Sequence, residues 1–352
     1  MKKRSVRKIK KKELFKNLTL LLGSIIIFLF CTEILMRIFS EKPPITDKGL
    51  YIYLNNSVLP YKLKPNYKGL ILDKEIYINS NGFRDKDYTY KKPSNTFRIA
   101  VIGDSFTFGW GVEQDETYPE ILEQKLNVMK PNNLKYEVLN FGFPNGNTIQ
   151  EVEILKTKVL DYSPDLVIIG FYYNDIEGIA KKNKSSETKN MFTVIYNLDQ
   201  FLSEKSRFFS YLKFKLQNTK PIVSIFHKTS TVPYVLNLFE ENSTIFVAFK
   251  ASLQKIGDLT RENNISVLLV VHPLLTNVNN PYPLSEIHRK VRNLAEDEGF
   301  SVLDILDYLD GRIRSELRLK TMYDWHPNFI YYNITANAIY ETLIKENIIP
   351  IG

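Results

Sequence analysis

From Phe97 onward the chain repeats one pattern: a predominantly apolar run, then a stretch with helical spacing. The apolar runs are FRIAVIG (Phe97–Gly103), YEVLNFG (Tyr136–Gly142), DLVIIGFYYND (Asp165–Asp175), NISVLLVVHP (Asn264–Pro273) and FSVLDI (Phe300–Ile305). A strand with no polar alternation is buried on both faces, and a parallel sheet covered by helices on each side meets that condition. Between the runs, Ile121, Leu122 and Leu126, then Ile149, Val152, Leu155, Val159 and Leu160, fall on helical faces. Ile287–Ala295 and Ile334–Leu343 supply further helices. The predicted architecture is α/β, a three-layer α/β/α sandwich around a central parallel sheet of about five strands. In such sheets ligands bind beyond the carboxyl ends of the strands. Ser105, the Asn140–Thr148 loop, Asn174 and His272 all follow strand ends.

Residues 176 to about 244 break the alternation. They open with the polar run AKKNKSSETKN (Ala180–Asn190) and continue in aromatic-rich pieces. Two readings are open: an insertion that shapes a cleft or lid over the sheet, or additional helical packing.

The charge is concentrated at the start of the chain. Its first 16 residues hold nine Lys/Arg and one Glu, which accounts for the whole net charge of +8. The rest is neutral, which argues against a nucleic-acid-binding face on the folded domain. Leu18 to Cys31 carries no charge, and Glu33 and Arg37 stand near the far end of the apolar stretch. Residues 18–39 have the length to cross a bilayer, and the cations before them favour a cytoplasmic N-terminus. No small-x-small cleavage site follows the run. The expected organisation is a basic cytoplasmic tail (1–17), a single transmembrane anchor (18–39), a linker and lead-in segment (40–96) and an extracytoplasmic domain (97–352). Cys31 is the sole cysteine, so an internal disulfide is excluded.

GDSFTFG places Ser105 where the first strand gives way to a helix. A serine hydroxyl needs a base to become a nucleophile. Of the four histidines, His227 lies in the insertion, His288 sits in an amphipathic helix beside Arg289 and reads as solvated, and His272 has no carboxylate near it in sequence. His326 stands in DWHPN, with Asp324 two residues before it and Pro327, which disfavours helix, after it. A carboxylate in that position can hold the imidazole Nδ1 and leave Nε2 for a hydroxyl proton. Acyl transfer also needs donors for a developing oxyanion. The Ser105 N–H, a backbone N–H at Asn145 or Gly146, and the Asn174 side-chain amide are the candidates.

With these blocks in order, the chain resembles the SGNH (GDSL-type) hydrolase family, in particular its membrane-anchored bacterial members. GDSFTFG resembles the first block, NFGFPNGNT the second, GFYYND the third and DWHPN the last. YINSNGFRDKDY resembles the lead-in segment of the anchored group. The resemblance implies a flavodoxin-like fold and a triad of Ser105, His326 and Asp324. It also implies an oxyanion hole built from Ser105, Asn145 or Gly146, and Asn174. The second-block glycine falls on Asn145, and the acid stands two residues before the histidine rather than three. The implied activity is that of a serine esterase or O-acyltransferase, with no metal or cofactor, acting on acyl groups such as acetyls of a surface polysaccharide. A lipase or thioesterase remains an alternative, with Phe106, Phe108, Trp110, Phe143 and Tyr172 as the acyl pocket. So does a catalytically silent glycan-binding module.

Overall fold

The computed structural model describes residues 2–39, 45–46, 49–56, 58–129, 133–176, 202, 206–209, 211, 231–275, 281–309, 314–319 and 326–350. The chain divides into two compact units: Met1–Pro43 with Glu187–Val223, and Pro44–Ser186 with Ser224–Gly352.

The first unit is built on α1 (Lys2–Phe39), a single helix. Its segment Phe15–Phe39 has a mean hydropathy of 2.4 and is long enough to cross a membrane. At its far end Glu33 pairs with Arg37 (2.7 Å). The same carboxylate accepts hydrogen bonds from Ser206 Oγ (2.8 Å) and from the Arg207 and Phe208 amides (3.0 and 2.9 Å).

The second unit holds a five-stranded, wholly parallel sheet. Its strands are β1 (Thr96–Gly103), β2 (Lys135–Gly142), β3 (Leu166–Phe171), β4 (Ser266–Val271) and β5 (Ser301–Asp304). Each starts and ends within four residues of the limits of its apolar run. The order across the sheet is β5-β4-β3-β1-β2, so the winding direction switches between β1 and β3. A crevice opens at that switch point in doubly wound sheets.

The helices that bear on the site are α2 (Ser105–Phe108), α3 (Tyr118–Met129), α4 (Thr148–Ile154), α5 (Thr231–Leu238), α6 (Thr244–Glu262), α7 (Ser285–Asp297), α8 (Arg314–Leu317) and α9 (Phe329–Lys345). Helix α3 packs with α9, while α6 packs with both α4 and α7. The core between them is apolar and closed: Val101, Ile102, Ile168, Leu269 and Val270 are among its fully buried residues.

One segment differs from the sequence expectation, and in another the described residues bear on the two open readings. The first is the supposed linker: residues 51–63 fold as a hairpin, with Tyr51–Tyr53 antiparallel to Tyr61–Leu63. Its prolines flank the strands rather than interrupting them. The second is the span 176–244. Residues 177–201, 203–205, 210 and 212–230 lie outside the described set, but α5 and the start of α6 are packing elements. Val235 and Phe239 are fully buried in the main core, with Phe239 against Phe171 (6.5 Å), Phe246 (5.9 Å) and Phe249 (6.1 Å).

The lead-in segment YINSNGFRD reaches the centre of this unit. Arg84, fully buried, donates to the carbonyls of Phe108, Gly109 and Val112 just behind α2. Asp85 Oδ2 accepts from the Asn140 amide (2.7 Å). Neither residue announces itself in the sequence, because isolated charges ordinarily read as solvent-exposed.

Candidate active site

The site begins with the three glycines that stand at the ends of β1, β2 and β3. Gly103 is in register with Gly142 on one side and Gly170 on the other. A Cβ at Gly142 would run into the Phe108 backbone, and one at Gly103 or Gly170 into the Thr107 hydroxyl. The missing side chains let the short helix α2 sink onto the sheet end.

Asp104 caps that helix. Its Oδ1 accepts from the Phe106 N–H (2.8 Å), and a cap of this kind is worth about 1 kcal/mol. Its Oδ2 accepts from Asn174 Nδ2 (2.8 Å) and lies 3.4 Å from Ser105 Oγ. One carboxylate therefore holds the turn after β1 to the turn after β3. Burial pushes the Asp104 carboxyl above its ordinary range, opposed by the Phe106 and Asn174 donors. Asp is a preferred N-cap residue, a signal at Asp104 that the sequence reading passed over. The second bond, to Asn174, has no sequence signature.

Ser105 is almost buried, and its Oγ lies 2.8 Å from His326 Nε2. These residues are 221 positions apart in the chain. The segment carrying His326 is fixed on both sides. The His326 carbonyl accepts from Leu319 N–H (3.1 Å), and Arg318 bridges Pro327. Asn328 caps α9 through the Tyr331 N–H (3.2 Å) and donates to the Glu316 and Arg318 carbonyls (2.7 and 3.0 Å). Half-buried Trp110 and buried Phe106 flank the imidazole at 5.9 and 6.0 Å. Asp324 lies outside the described residues.

Two of the expected oxyanion donors are open. Among the described residues neither the Ser105 N–H nor the Asn145 N–H makes a hydrogen bond, whereas the Gly146 N–H donates to the Phe143 carbonyl (2.8 Å). Of the pair Asn145 and Gly146, the former is thus the available amide. Asn145 has φ +58°, the left-handed conformation that asparagine tolerates. Asn174 commits one N–H to Asp104 and keeps the other.

The remaining histidines do not join this group. His272 is buried, its Nδ1 bonds the Tyr331 hydroxyl (2.8 Å), and burial drives its pKa down to about 3. It is a neutral core residue. His288 is not solvated as its helix suggested: it is buried and its Nδ1 meets Asp304 Oδ2 at 2.7 Å. It shares a face of α7 with buried Val291 and Ala295, and that face packs on β5. His227 lies outside the described residues.

Two buried acids stand behind the site, unforeseen from sequence. Glu151 on α4 and Asp175 after β3 are both buried. Burial and the Asp104 charge push Glu151 up to about 8, and Asp175 is likewise raised well above its ordinary value. A carboxyl with a raised folded-state pKa keeps its proton in the native state and loses it on unfolding. The contribution of Glu151 to stability therefore falls as pH climbs from about 4.5 to about 8. Glu151→Gln is expected to flatten this slope. Its melting temperature should exceed that of the wild type near pH 8 and match it near pH 4.5, at roughly 2–4 °C per kcal/mol for a domain of this size. Parallel melting curves across that range would show that Glu151 is ionised in the native state.

Comparison with known proteins identifies the family of the chain. The family model described as GDSL-like Lipase/Acylhydrolase matches residues 101–330. No curated protein matches the chain. Among solved structures, TesA aligns at 13% identity over 72% of this chain and 99% of that one, with a TM-score of 0.43. A lipolytic protein of the G-D-S-L family from Desulfitobacterium hafniense DCB-2 aligns at 16% over 70% and 99%, TM-score 0.42. The acetyl xylan esterase AlAXEase aligns at 15% over 70% and 100%, TM-score 0.42.

Proposed function

Because the chain belongs to the GDSL-like lipase/acylhydrolase family and is an enzyme acting on ester bonds, we propose that Ser105 is its nucleophile and His326 the general base. The observation that carries this reading is the 2.8 Å contact between Ser105 Oγ and His326 Nε2. Ser105 attacks the ester carbonyl while His326 Nε2 takes the hydroxyl proton. The Ser105 and Asn145 backbone N–H groups and the Asn174 amide stabilise the oxyanion. His326 then protonates the leaving alcohol. Water, or an acceptor alcohol in a transferase, releases the acyl group from the serine. Asp324, two residues before His326, holds the Nδ1–H and sets the tautomer.

The substrate we propose is a small acyl ester, such as an acetyl group on a surface polysaccharide. What supports a small acyl group is the packing of the alternative pocket. Phe106, Phe108, Phe143 and Tyr172 are buried, and Phe106 stacks on Tyr172 at 4.2 Å, so these four rings are committed to the interior. A series of p-nitrophenyl esters tests this: kcat/KM should be highest for acetate or propionate and fall at least tenfold by octanoate. A maximum at long chains would favour the lipase or thioesterase reading.

The same proposal places the catalytic unit outside the cytoplasm, held by α1. Its support is the hydropathy of Phe15–Phe39 and the cations before it. Protease added to intact spheroplasts should remove the domain. Protection until the membrane is lysed would contradict the topology.

A further inference from the structure

The hairpin at residues 51–63 lies outside the matched family region, which starts at residue 101. It nevertheless touches the loop after β2 and the start of α4. Gln150 Nε2 donates to the Val58 carbonyl (3.0 Å). The Tyr61 ring stacks on Phe143 (4.6 Å between centroids, 13° between planes), and its hydroxyl donates to the Pro144 carbonyl.

Pro144 C=O and Asn145 N–H belong to one peptide group. That group is planar, and in the trans form, the rule before a non-proline residue, its carbonyl and N–H point in opposite directions. A donor fixed on the oxygen therefore fixes the heading of the N–H. The neighbouring turn leaves this amide open, since the Gly146 N–H is bonded to the Phe143 carbonyl while Asn145's makes no bond among the described residues. A hydrogen bond accepted by the carbonyl also polarises the peptide and strengthens its N–H as a donor. The phenol stays protonated over the working pH range, because burial raises its pKa.

We propose that Tyr61 is a positioning residue for ester chemistry: its hydroxyl anchors the Pro144–Asn145 peptide so that the Asn145 N–H is presented to the oxyanion. The proposal rests on the catalytic reading above and extends it to a residue of the lead-in hairpin. Tyr61 touches neither substrate nor reacting atoms. It acts through the peptide it holds.

Tyr61→Phe keeps the ring on Phe143 and deletes the one hydrogen bond. On p-nitrophenyl acetate we expect kcat to fall roughly 2- to 13-fold, the range of a single net hydrogen bond, with KM within about twofold of wild type. A boronic acid, whose tetrahedral serine adduct carries the oxyanion, should lose affinity by the same factor. The melting temperature is measured alongside. An unchanged kcat in Tyr61→Phe, with an active wild type, overturns this proposal and leaves the catalytic reading standing. So does a lowered kcat with undiminished boronate affinity, because the loss would then lie elsewhere than at the oxyanion. A wild-type protein that neither turns over the ester nor binds the boronate overturns both. Should Tyr61→Phe fold poorly, 4-fluorophenylalanine at position 61, which fills the hydroxyl's space without donating, gives the same reading: kcat should fall by the same factor, and an unchanged kcat overturns the proposal.

Discussion

Ser105→Ala is expected to lose roughly 10⁴- to 10⁶-fold in kcat on any ester the wild type cleaves, and His326→Ala a comparable factor. The reason is geometric. The two side chains share one hydrogen bond, 2.8 Å long, and neither does its work without the other. An isolated serine hydroxyl is a poor nucleophile at neutral pH, and an imidazole with no hydroxyl to deprotonate supplies only weak base catalysis of water attack. The double variant is therefore expected to fall no further than either single one, a non-additivity that independent contributions would not produce. Folding should be largely preserved in both cases. Ser105 opens a four-residue helix whose cap is Asp104, and the His326 segment is held by the backbone of residues 317–319. The measurement is steady-state kinetics with circular dichroism as the folding control. A Ser105→Ala protein retaining more than about 1% of wild-type kcat would contradict the assignment.

Asn174→Ala is expected to lower kcat by about 100- to 1,000-fold with a much smaller change in KM, the usual cost of removing one oxyanion donor. This side chain is held in place rather than free to rotate: one N–H goes to Asp104 Oδ2 at 2.8 Å, and the other is the one our proposal assigns to the substrate oxygen. Asp104→Ala should therefore produce part of the same defect. It frees the Asn174 amide and removes the cap of α2, so a loss of kcat should come with a fall in stability of about 1 kcal/mol. The two changes act on one unit, so Asn174→Ala should cost less in the Asp104→Ala background than in the wild type. Full additivity would mean that Asp104 supports the fold alone.

How much of the molecule is legible in the sequence depends on the kind of residue. The five strands are readable because each is dominated by apolar residues without polar alternation, and that pattern is a local property. Ser105, Asn174 and His326 are readable because each stands at a strand end or beside a helix-breaking proline, inside a short block of turn residues. The hidden features are polar and depend on partners distant in the chain. Arg84 is fully buried against three carbonyls some 25 residues onward. Glu151 is buried on a helix whose spacing reveals its apolar face but not an acid within it. His288 illustrates a misleading neighbour. The adjacent Arg289 suggests a wet face, while the position three residues ahead, Val291, marks the dry one. Residues 51–63 read as a linker because short strands among prolines give little period to detect. Tyr61 emerges as a participant only when the loop it holds is seen to carry an open amide.

Covalent labelling with a fluorophosphonate, followed by peptide mass spectrometry, addresses the central claim directly. A phosphonyl adduct on the peptide containing Ser105, absent from Ser105→Ala and from His326→Ala, is the expected result. A folded wild-type protein that takes up no label, or takes it up at another serine, would contradict the catalytic assignment.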